Sequence, residues 1–269
     1  MTIRPVEEIE IRHCASLAEF DECVRLEHAT WGQEIAVPSA VFVVARYTGG
    51  QVLGAFHRSR MVGFTLALAG LRREVAEGGR TQTLRPFVHS HMTAVLPEYQ
   101  DRGVGRRLKL FQRQDALKRG IELVEWTFDP LEVKNAHFNL VRLGAVAREY
   151  IPDCYGITGS ALHAGLPTDR LVAEWWLASN RVQSILADNP LPLAGPAVRV
   201  SLPANIADIK AADRAAGARV QEEVRTQFQK WFAQGYAATG IETRGAVTDY
   251  ILERAGAVAG LRLPAGGTD

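Results

Sequence analysis

Between Gln100 and Arg107 the chain reads QDRGVGRR, with Gly103 and Gly105 set among Arg102, Arg106 and Arg107. A tight turn needs one glycine at most, so two glycines bracketed by arginines point to backbone that touches an anion. A helix start carries unpaired N–H groups and the positive end of the helix dipole, and both attract phosphate. Glycine lets the main chain come close to a ligand and adopt positive φ without steric cost. An ordinary strand-to-helix connection with solvated arginines stays equally open from these residues alone. Just upstream, His89, His91, Thr93 and Val95 alternate onto one face of a strand. A histidine titrates near neutral pH and can accept a proton. A histidine hydrogen-bonded in a half-buried sheet is the bland alternative. Glu98, at the turn, is a second candidate base against the plain reading of a solvated carboxylate, and Glu125 has no decisive argument.

These groups need a strand, a turn and a helix to hold them. PFVHSHMTAVL, residues 86–96, reads as the strand. Val104 to Arg119 reads as the helix, with Val104, Leu108 and Phe111 on one face and Gly120 as the cap. The arginines and lysines of that helix, Lys109 among them, read as a solvated face beyond the first turn. Upstream, IEIRHC alternates like a short strand, and a helix follows with Ser16 as N-cap and Gly32 as stop. Leu17, Phe20, Val24 and His28 would share its face. Val41 to Tyr47, Gln51 to His57 and Met61 to Leu71 read as strands, and Arg72 to Arg85 as a polar loop. Downstream come a strand at 121–128, a helix at 135–144 and strands at 145–155 and 169–179. The order implies a mixed α/β fold, mostly antiparallel, with a central parallel pair.

From about residue 189 the character changes. DNPLPLAGP resembles a linker, Val220, Val224, Phe228 and Trp231 mark a helix ended by Gly235, and VTDYILER reads as a last strand. We therefore expect a domain over 1–188 and an appended lobe over 189–269. The chain has 269 residues, 47% hydrophobic and 23% charged, which is globular composition. A net charge of +1 argues against a general nucleic-acid binder. No apolar run approaches the ~20 residues that span a bilayer. The first residues lack the apolar core of a signal peptide, and Cys14, Cys23 and Cys154 form neither a disulfide framework nor a metal cluster. The expectation is a cytoplasmic protein with reduced thiols and no metal.

Two phosphate motifs compete for the glycine turn. A dinucleotide turn wants G-x-G-x-x-G, and the third position here is Leu108, with at least three strands already passed. A Walker loop needs G-K-[ST], which is missing. VLPEYQDRGVGRRL instead resembles motif A of the GNAT family of acyl-CoA-dependent N-acyltransferases, [QR]-x-x-G-x-[GA], matched by Gln100, Gly103 and Gly105. The resemblance runs from Ile9 to Ser179, and the longer HSHMTAVLPEYQDRGVGRRLK and TFDPLEVKNAHFNLVRLGAVA resemble a bacterial branch of that family.

The resemblance implies a GNAT-type sheet whose central parallel strands splay to admit the pantetheine arm of acetyl-CoA or another acyl-CoA. Ala94 and Val95 would bond that arm, with the Val95 N–H polarising the thioester oxygen. The amides of Gln100, Asp101, Arg102, Gly103, Val104, Gly105 and Arg106 would hold the pyrophosphate. Asn135, read first as a helix N-cap, and Phe138 are further coenzyme candidates. His89 falls where one branch of the family places a glutamate base. The tyrosine that many members use to protonate the leaving thiolate is replaced by Leu140, whose Ala136–Leu140–Leu143 face reads as core; Tyr150, Cys154 or Tyr155 would have to serve instead. Paired Trp175 and Trp176 read as packing before an acceptor pocket. The expected activity is transfer to a small-molecule or peptide amine, with no nucleic acid or membrane partner and a homodimer left open. A catalytically silent acyl-CoA sensor is the alternative.

Overall fold

A computed structural model describes residues 9–32, 37–75, 82–156, 165–189, 191–258 and 260–261. The chain divides into two compact units, residues 1–73 with 84–124, and residues 74–83 with 125–269.

The first unit begins with β1 (Ile9–His13) and α1 (Leu17–Trp31). Ser16 caps α1 as its sequence suggests: the Ser16 hydroxyl accepts from the Glu19 N–H at 3.3 Å, and the Glu19 carboxylate accepts from the Ser16 N–H at 3.2 Å. The buried stripe, however, is Phe20, Cys23, Leu26 and Glu27, while Leu17 and His28 are exposed. Residues 39–47 correct the expected strand, because they form helix α2 (Ser39–Tyr47). Their β-branched run favours a strand locally, but Phe42 and Ala45, three apart, both drop into the core and tertiary packing overrides propensity. β2 (Gln51–His57), β3 (Arg60–Val75) and β4 (Gln82–Val95) complete the sheet order β1-β2-β3-β4. The expected polar loop at 72–85 is thereby shortened: strand continues to Val75 and resumes at Gln82, and residues 76–81 lie outside the described set.

Helix α3 (Val104–Lys118) carries the chain from the end of β4 to β5 (Leu123–Phe128). The first β5 residues, Leu123 and Val124, belong to this unit and run parallel beside β4, as a helical crossover requires. Val104 and Leu108 are buried from α3 into one cluster with Phe42, Leu53, Phe64 and Met92. Full burial of a side chain such as Leu108 contributes about 2 kcal/mol.

The second unit orders its strands β5-β7-β6-β9-β10-β8, with β6 (Val146–Ile151), β7 (Arg170–Trp176), β8 (Val198–Pro203), β9 (Tyr236–Arg244) and β10 (Val247–Arg254). Its helices are α4 (Val133–His137), α5 (Asn180–Leu186), α6 (Ile206–Ala212) and α7 (Arg214–Ala233). α4 passes into a π turn at Phe138–Arg142. Leu140 is fully buried, in agreement with its reading as core. Asn135 is corrected: Glu132 is the N-cap, and Asn135 lies inside α4, where its Oδ1 accepts from Asn139 Nδ2 at 3.4 Å. β9 pairs with β6, Ala238 opposite Ala147, so residues after 189 extend the sheet of this unit. Trp175, Phe128, Phe228 and Tyr250 are among its largest fully buried side chains, and Trp176 is buried as well.

Candidate functional site

β4 ends at Val95, and the chain then turns tightly. Leu96 N–H donates to the Val62 carbonyl at 2.9 Å, and Tyr99 N–H to that of Leu96 at 2.8 Å. The Gln100 side chain donates back to the Val95 carbonyl at 3.0 Å. Buried Tyr99 anchors the turn, its hydroxyl 2.7 Å from His57 Nδ1. Asp101 (φ 56°) and Gly103 (φ 77°) then adopt left-handed backbone. Gly103 is the N-cap of α3 and offers no side chain to satisfy them.

The first bond that closes α3 runs from the Arg107 N–H to the Gly103 carbonyl at 3.0 Å. Among the described residues, the five amides of Arg102, Gly103, Val104, Gly105 and Arg106 therefore have no acceptor. A Cβ built on Gly103 or Gly105 would meet nothing within 4 Å. Gly105 needs no positive φ, so neither backbone conformation nor packing within the protein demands glycine there. The Arg102 guanidinium stands 5.8 Å from the Tyr99 ring. Arg106 Nε is buried with no partner among the described residues. Arg107 instead bonds the Ile9 carbonyl and is part of the scaffold.

The two histidines lie side by side on β4, ring centroids 6.3 Å apart. His89 is half-buried and His91 exposed. Burial first, then His91 and Lys109, lower the His89 pKa from its usual 6.5, so its ring is neutral at pH 7. Glu98 is exposed and paired with Arg60 at 2.9 Å. A hydrogen bond from its own backbone first, then Arg60 and the charge of Arg102, hold its carboxyl below the usual range against the opposing effect of desolvation.

Lys109 departs from its reading as part of a solvated face. It is buried, and Nζ donates to Ser90 Oγ at 2.7 Å and to Gln112 Oε1 at 3.2 Å. Gln112 Nε2 donates to Gln51 Oε1 at 3.1 Å, and Gln51 Nε2 to Asp115 at 2.7 Å. Desolvation pushes the Lys109 amine down to about 7. The only sequence signal was the inward spacing of Leu108, Gln112 and Ala116, which carries Lys109 toward the sheet.

In the second unit Asn135 is exposed and Phe138 half-buried. Tyr150 is committed elsewhere, since its hydroxyl donates to Asp169 at 2.6 Å and burial raises its pKa well above the ordinary value. Tyr155 is half exposed, its hydroxyl 2.8 Å from that of Thr127. Among the described residues no three His, Cys, Asp or Glu side chains group as metal ligands would, and no helix is long and apolar enough to cross a membrane.

No protein-family model and no curated protein matches the sequence. Several solved structures are similar to it. The ribosomal-protein-S18-alanine N-acetyltransferase of Escherichia coli is 14% identical, covering 62% of this chain and 92% of its own, with a TM-score of 0.47. Arabidopsis thaliana NAA60 in complex with a bisubstrate analogue is 17% identical over 62% of this chain and 98% of its own, TM-score 0.49. A GNAT family acetyltransferase from Elizabethkingia anophelis with acetyl-CoA bound is 10% identical over 63% and 99%, TM-score 0.46. From β1 to β7 its own elements form the mixed, mostly antiparallel α/β sheet expected from the sequence, with the first residues of β5 parallel beside β4.

Proposed function

We propose that the chain is an acyl-CoA-dependent N-acyltransferase, with acetyl-CoA as donor and an amine as acceptor. The five free amides from Arg102 to Arg106 carry this reading. Any helix start leaves about four N–H groups unpaired. Here the cap is a left-handed glycine, Gly105 leaves open space at its own position, and Arg102 and Arg106 add charge. That is a cradle for a diphosphate; the Gln100 N–H, expected to join it, instead donates to the Pro97 carbonyl at 3.2 Å. Ala94 and Val95 would guide the rest of the coenzyme along β4, the Val95 N–H polarising the thioester oxygen. Asn135 and Phe138 lie in the second unit, and the proposal does not rest on them.

The transfer is direct. The neutral amine attacks the thioester carbon, the C–S bond breaks, and the amine proton passes to a base, directly or through water. His89 is favoured over Glu98 for that role, because it is neutral at pH 7 and half-buried, whereas Glu98 is exposed and paired with Arg60. The thiolate leaves with an ordinary thiol pKa of ~8.5 and can take its proton from water. Buried Leu140 in the usual acid position favours the second reading, a silent acyl-CoA sensor.

Calorimetry with coenzyme A, then thiol release from acetyl-CoA across a panel of primary amines, tests both readings. Acceptor-dependent thiol release supports the enzyme, binding without release supports the sensor, and absence of binding removes both. His89→Ala should abolish turnover while coenzyme affinity stays within about twofold.

A further inference from the structure

Helix α7 carries two stripes. Val224 and Phe228 enter the core of the second unit. Arg214, Gln221 and Arg225, spaced by seven and four residues, run along the edge of that buried stripe and all engage the arm that leads into β7. Arg214 donates to the Gly165 carbonyl, Gln221 to that of Pro167 at 2.8 Å, and Arg225 to the Asp169 carboxylate through two bonds of 2.9 and 3.0 Å. Asp169 has a fully buried side chain and also accepts from the Tyr150 hydroxyl at 2.6 Å and the Asp153 N–H at 3.0 Å. The two arms of the β6–β7 connection are laced together there. Cys154 N–H donates to the Thr168 carbonyl at 2.9 Å, Tyr155 N–H to Thr168 Oγ1 at 2.8 Å, and Thr168 Oγ1 to the Gly156 carbonyl at 2.8 Å. Tyr155 emerges from this lacing with the Arg170 guanidinium 5.4 Å from its ring and its hydroxyl on Thr127 of β5.

We propose that Arg225 is a positioning residue: through Asp169, helix α7 holds the β6–β7 connection, and with it the Tyr155 hydroxyl, at the carboxyl end of β5. A buried carboxylate with a bidentate guanidinium has one good geometry, so the brace sets where the hydroxyl pair stands. The brace lies wholly within the second unit, and its link to turnover rests on the acyltransferase reading.

The test combines amide hydrogen exchange with kinetics on the full chain, for Arg225→Met, Arg225→Lys and Tyr155→Phe. With Met, the amides of Asp153, Cys154 and Tyr155 should exchange at least ~10-fold faster while those of β2 stay unchanged, and Lys should restore part of the protection. On whichever panel amine the wild type acetylates, Arg225→Met should lower kcat about tenfold with the KM for acetyl-CoA within twofold. Tyr155→Phe should lower kcat while the turn stays protected. Unchanged exchange at the three amides, or loss of protection spread evenly through the unit, overturns the brace. Full kcat in Tyr155→Phe overturns its link to turnover. A wild type that acetylates nothing sinks the acyltransferase reading instead, and the exchange data still decide the brace. Should Arg225→Met fail to fold, Gln221→Met loosens the same arm and gives the same readout.

Discussion

Replacing Gly105 by alanine separates what the protein needs from what a ligand needs. A Cβ there meets nothing within 4 Å, and the backbone is not in the left-handed region, so the folded chain accepts it without strain. Alanine is the better helix former and loses less freedom on folding, which stabilises a compatible site by about 0.5–1 kcal/mol. For a chain of this size that raises Tm by about 1–4 °C. On the proposed reading, the same Cβ would stand between a diphosphate and the free amides of Arg102 to Arg106. Pushing a diphosphate off one or two charge-assisted bonds costs about 1.5–3 kcal/mol, which weakens coenzyme A binding about 10–100-fold. Thermal melts and calorimetry with coenzyme A read the two effects independently. They should move in opposite directions. A higher Tm with unchanged affinity would refute the diphosphate cradle, because Gly105 would then face nothing. A lower Tm would refute the account of the helix start itself.

Three pH effects follow from the buried groups. Burial pushes the Glu27 carboxyl up to about 7, opposed only by the Val37 N–H on Oε2, and Oε1 has no partner among the described residues. The folded state then holds a proton the unfolded chain has released, so stability falls as pH rises from about 4.5 to 7, by up to ~1.4 kcal/mol per pH unit. Urea melts of Glu27→Gln should lack this slope, and an unchanged slope would assign it to other groups. Lys109 has the opposite sign: its amine is lowered to about 7, so between there and 10.5 the unfolded chain binds the extra proton and stability rises with pH. Lys109→Met should remove that rise. For turnover, the neutral form of His89 is the base, so the acid limb of kcat/KM should lie below pH 6.5 and move upward in Lys109→Met, since Lys109 helps lower the His89 pKa. A limb indifferent to both His89→Ala and Lys109→Met would remove His89 from the reaction.

The sequence by itself determined the strand, the glycine turn and the helix that hold the amides, because each is a local matter. Alternation ends at Val95, glycine suits the left-handed position 103 without steric cost, and Val104, Leu108 and Phe111 keep helical spacing. The Ser16 capping box was legible for the same reason. Tertiary structure decided what depends on contacts between distant residues. Ser39–Tyr47 became a helix because Phe42 and Ala45 found the core, against the local β preference of the run. Lys109 turned inward because Ser90, on β4, supplies a partner across the core in addition to Gln112 on its own helix. Asp169 met Arg225 across 56 residues, and no spacing rule reaches that far. Periodicity reports which face of an element is apolar; only the assembled fold reports which polar groups are left to pair with one another and which amides are left free.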